Sequence, residues 1–82
     1  MTDFNYSASA DLFPARTRSS RHKSVGYKRF ALAAEAIRYV IEELPRELIL
    51  GTYLEVDEER FDGAGIRRLY DGDAYPLVRR TN

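Results

Sequence analysis

The chain contains no cysteine and no tryptophan, and it has a single histidine and a single methionine. Without thiols it can hold neither a disulfide framework nor a thiolate-bound metal, and a cysteine nucleophile is excluded. One histidine, His22, cannot supply the ligand set of a structural zinc site. It stands between Arg21 and Lys23, in a stretch with no apolar pattern to build a catalytic pocket around it. Also missing is any run of about 20 apolar residues of the kind that spans a bilayer. The opening "MTDFNYSASADLF" has neither the basic nor the apolar region of a secretory signal. Small secreted domains are normally stapled by disulfides, so a cytoplasmic setting is the expectation.

What is present bounds the fold. A length of 82 residues admits one domain, and 44% apolar with 32% charged residues is the balance of a folded globular chain rather than a disordered one. The formal charge is zero but unevenly spread. Residues 1–30 hold six basic against two acidic side chains, +4, and residues 31–75 hold five against eleven, −6. Arg79 and Arg80 add +2 at the end. A basic arm on an acidic body is a pattern associated with interaction tails.

Residues 1–23 are rich in Ser, Ala, Thr and Arg without helical or alternating periodicity, which predicts a disordered basic arm ahead of a domain over 24–80. Within that domain, Ala33, Ile37, Val40, Ile41, Leu44 and Leu48 recur at helical spacing, predicting a helix over 32–44. Pro45 ends it, and "PRELILG" reads as one further helical turn over 46–50, with Pro45 at its first position. "TYLEVDEE" alternates Leu54 and Val56 with Tyr53, Glu55 and Asp57, the signature of a half-buried strand over 52–58. A strand needs a neighbour, so residues 25–30, which also read as a helical extension, are taken as strand, with 75–80 a weaker candidate. The expected fold is α+β: a two- or three-stranded sheet packed by two helices, with a disordered N-terminal arm.

"ERFDGAGIRRLYDGDAYP" tempts with glycines and aspartates. Gly63 and Gly65 match the first two positions of a dinucleotide fingerprint, but Arg68 occupies the third. No Gly-Lys pair follows to make a phosphate loop, and a calcium loop begun at Asp57 or Asp71 puts Phe61 or Tyr75 where an oxygen ligand belongs. A helix over 63–71 accounts for the segment instead. Asp62 is its N-cap, Phe61 and Ile66 its hydrophobic staple, Ile66, Leu69 and Tyr70 its buried stripe, and Gly72 its left-handed terminator. Gly63 and Gly65 each cost about 1 kcal/mol relative to Ala inside a helix, which hints at a close backbone approach.

Three functional readings follow. Glu55 and Asp57, two apart on a strand, would stand about 7 Å from each other on one face, the separation of paired acid and base groups in some hydrolases. A solvated strand face explains them more simply, and a carboxylate-dependent enzyme ranks last. The stretch 16–29 carries Arg16, Arg18, Arg21, Lys23, Lys28 and Arg29 and no acid. With Tyr27 and Phe30 for stacking, and Arg67 and Arg68 on the last helix, these residues suit a nucleic acid or an acidic partner. The zero net charge weighs against a polyanion. Tyrosine favours interfaces, so Tyr39, Tyr53 and Tyr75 are candidate contact residues. The leading expectation is a protein-interaction or regulatory module without catalytic activity or cofactor, bound to a protein partner or to itself.

Overall fold

The helical periodicity takes shape as α1 (Ala33–Glu42) and, beyond the break at Pro45, α2 (Arg46–Ile49), in a computed structural model that describes residues 4–15 and 26–78. Ala33, Ile37, Val40, Leu44 and Leu48 are buried as the spacing predicts. Pro45 is the N-cap of α2 rather than its first residue, since its extended ψ lets the chain turn between the helices.

The remaining elements are β1 (Ala10–Phe13), β2 (Lys28–Phe30), β3 (Tyr53–Val56), β4 (Glu59–Phe61) and α3 (Gly63–Asp71). The strands form one antiparallel sheet in the order β2-β1-β3-β4. The architecture is α+β, with four strands rather than two or three. Two corrections account for the difference. First, the strand expected over 52–58 stops at Val56. Asp57 and Glu58 both take positive φ, 52° and 68°, and Val56 pairs with Glu59, so a two-residue hairpin returns the chain as β4. Those backbone angles are the ones a tight hairpin matching the sheet twist demands.

Second, β1 lies in the stretch expected to be a disordered arm, and it occupies an interior position in the sheet. Its alternation, Ala10 and Leu12 inward against Asp11 and Phe13, spans only four residues and includes one small side chain. Pairing on both sides, to β2 and to β3, makes it a strand. Pro14 follows immediately, outside the ladder, where its missing amide costs no inter-strand bond. The domain therefore includes residues 4–15. Residues 75–78, the described part of the weak candidate strand at 75–80, are not extended into the sheet.

The segment before β1 also starts α1. Leu32, at the N-cap, offers no side-chain acceptor, and the first amides of a helix need partners. The amide of Ala33 donates to the carbonyl of Ala8 at 2.6 Å and that of Ala34 to the carbonyl of Tyr6 at 3.0 Å. Nearby, Phe4, Tyr6, Tyr70 and Tyr75 pack edge-on or tilted at centroid distances of 4.8–5.8 Å. The Tyr6 hydroxyl donates to the Leu69 carbonyl and that of Tyr75 to the Ala34 carbonyl.

At the start of α3, the Asp62 carboxylate accepts from the Gly65 amide at 2.8 Å, as a cap should. Gly63 is explained by proximity, because a Cβ there would stand 2.3 Å from the Ile49 carbonyl oxygen. Gly72 departs from expectation. It is extended, with φ −70° and ψ 154°, and no described glycine has positive φ. The helix ends in a turn in which the Tyr75 amide donates to the Gly72 carbonyl at 3.2 Å, carrying Tyr75 into the core without a left-handed residue.

Candidate functional site

Strand alternation gives the sheet two unlike faces. Ala10, Leu12, Leu54 and Val56 are buried beneath α1 and α3, so their neighbours along each strand point the other way. The register aligns that outer face into two rows. One runs Arg29, Asp11, Glu55, Arg60 from β2 to β4. The other is aromatic: Phe13 pairs with Tyr53 across β1 and β3, and the Phe13 and Tyr27 rings lie 5.3 Å apart. All three aromatic side chains remain substantially exposed, Tyr27 at 55%, Tyr53 at 45% and Phe13 at 38%.

Charge on this face is partly internalised. The Arg29 guanidinium donates to Asp11 Oδ1 at 2.9 Å and the Tyr27 hydroxyl to the same oxygen at 2.6 Å. The bond to Asp11 holds the Tyr27 phenol above its ordinary value near 10, and the hydrogen bond with Tyr27, together with the charge of Asp11, holds Arg29 up as well. Arg60 does not close on Glu55 opposite it. Its guanidinium lies over the Tyr53 ring, 5.4 Å from the centroid, a cation–π placement. Tyr53, Arg60 and Arg68 line a shallow recess of about 330 Å³ together with Phe61, Asp62 and Gly65. Among the described residues neither Arg60 nor Arg68 has an ion pair.

A second surface lies on the helical side. Ile41, Ile49, Leu50 and Ala64 line a groove of about 390 Å³ rimmed by Arg46, Glu47 and Arg67. Leu50 is 85% exposed. The wall is stiff, since the Thr52 hydroxyl ties the Leu48 carbonyl to the Ala15 amide, at 2.7 and 3.1 Å, and Gly63 sits against Ile49.

The residues singled out from sequence are not gathered in one patch. Arg16, Arg18, Arg21 and Lys23 lie outside the described residues. Arg29 is on the outer sheet face, whereas Lys28 points the other way, its Nζ 5.4 Å from the Tyr39 ring centroid. Arg67 pairs with Asp71 at 3.1 Å beside the groove, and its neighbour Arg68 faces the recess. Of the three tyrosines, Tyr53 is exposed and Tyr39 is half-buried against Phe30. Tyr75 is buried with its hydroxyl bonded inside, so it is a core residue and not an interface one. Asp57 stands in the hairpin turn, so it does not share a strand face with Glu55.

Sequence reasoning missed Phe13, Arg60 and Leu50. The alternation of "ADLF" was the available signal for Phe13, whereas Arg60 is hidden in an acidic run and Leu50 looks like an ordinary helix end. Comparison with known proteins finds no matching family, no similar curated protein and no similar solved structure.

Proposed function

We propose that this chain is a non-catalytic, cytoplasmic protein-interaction module, and that its docking surface is the groove around Leu50. The observation that carries this reading is an 85% exposed leucine continuous with Ile41, Ile49 and Ala64. One exposed leucine is unremarkable on any surface, but a contiguous apolar groove with a charged rim is the form of a contact site. Covering a leucine side chain is worth about 1.5–3 kcal/mol, and the fixed wall keeps the ordering cost of binding low.

The occupant is a second copy of this chain. The rim carries both signs, Arg46 and Arg67 beside Glu47, which suits a two-fold contact in which each copy presents the same patch to the other. A domain of this size also buries only about 60% of its unfolded surface and gains from association. Sedimentation equilibrium tests the reading: the natural chain should form a concentration-dependent dimer, and Leu50→Asp should sediment as a monomer with unchanged circular dichroism. A natural chain that stays monomeric up to millimolar concentration would reject it.

A further inference from the structure

We propose that the outer face of the sheet binds single-stranded nucleic acid, anchored at the recess formed by Tyr53, Arg60 and Arg68. This stands on observations separate from the groove. Three aromatic side chains, Tyr27 just ahead of β2, Phe13 on β1 and Tyr53 on β3, follow one another across the sheet, about 5 Å per strand. Their combined reach of about 10 Å matches two or three successive bases splayed on a sheet. Stacking needs no particular base, because every base has a π-face.

Phosphates need cations that are not already spent. Arg60 and Arg68 meet that need, as neither has an ion pair among the described residues and both face the recess beside the exposed Tyr53 ring. Asp62 also lines it, but its Oδ1 is occupied by the Gly65 amide. The acids of the face are constrained too. Asp11 is held by Arg29 and the Tyr27 hydroxyl, so the opposing charges are Glu55 on the face and the Asp62 carboxylate in the recess.

The geometry favours single strands over duplex. A sheet surface with half-exposed rings offers nothing shaped for a groove, whereas unpaired bases can lie flat on it. With two or three phosphate contacts, affinity should fall at least about tenfold between about 50 and 300 mM salt.

The test is fluorescence anisotropy of labelled single-stranded oligonucleotides, a pyrimidine-rich DNA and an RNA of about 12 nucleotides, against the full chain, with the matching duplex as control. Saturable, salt-sensitive binding that prefers the single strand is expected. Tyr53→Ala should weaken it about tenfold, and Arg60→Gln and Arg68→Gln several-fold each with a shallower salt dependence. Arg60 and Arg68 are exposed, so their variants should melt like the natural chain and separate lost binding from lost fold. No anisotropy change at about 50 mM salt overturns the proposal and leaves this face to a protein partner. Binding untouched by Tyr53→Ala and Arg60→Gln overturns it as well, since the contact would then lie elsewhere.

Discussion

Thr52 is fully buried and, tyrosines aside, is the one polar side chain in the core among the described residues. Its hydroxyl serves two backbone groups, donating to the Leu48 carbonyl and accepting from the Ala15 amide, so the end of α2 and the end of β1 meet at one atom. Thr52→Val keeps the shape and removes the hydroxyl, which leaves a buried acceptor and a half-buried donor unmatched. The expected loss is about 1–3 kcal/mol by urea unfolding, with Thr52→Ser close to the natural chain. An isostable valine variant would mean that water replaces the hydroxyl. Glu58 is strained in a different way. A glutamate at φ 68° carries a Cβ where glycine carries none, at a cost of about 1–2 kcal/mol. Glu58→Gly relieves that strain but loosens the unfolded chain, so we expect a net gain of about 0.5–1 kcal/mol. A loss would show that Glu58 makes a compensating contact through its side chain.

Among the elements, α2 and α3 are set by their mutual distance. Gly63→Ala would ordinarily strengthen a helix by about 1 kcal/mol. Here the added carbon would fall 2.3 Å from the Ile49 carbonyl oxygen, and overpacking of that kind costs about 1–3 kcal/mol or more. Repulsion from backbone should win, giving a net loss of about 2 kcal/mol and a disturbed Leu50 groove, read by thermal melting and by amide shifts of residues 46–50. Unchanged stability would place the two helices farther apart than described. The glycine was legible as an oddity in the sequence, but its reason was not, because the oxygen it avoids belongs to another element. The same contrast runs through the fold. Long periodic stripes announced α1 and α3, and the Asp62 cap was readable because capping is local. β1 and β4 are short, and their partners, not their own side chains, make them strands. Of the outer face and the recess beside it, Tyr53, Arg29 and Arg68 could be named in advance, yet nothing local could say that Phe13 and Arg60 join them.

For the molecule as a whole, the N-terminal segment is structural. It supplies an interior strand, accepts the first amides of α1 and contributes Phe4 and Tyr6 to the aromatic cluster. Removing residues 1–13 should therefore abolish cooperative unfolding in a far-ultraviolet melt, where a dispensable arm would leave the transition intact. A sharp transition in the truncated chain would contradict the sheet order. The placement of that strand also bears on biosynthesis. Asp11 pairs with Glu55, and the Tyr6 hydroxyl reaches Leu69, 63 positions later. On the ribosome, Asp11 must wait for more than forty further residues before its β3 neighbour is even made. The apolar side chains of β1 thus stay without their sheet and helix partners until β3 and α3 have been made.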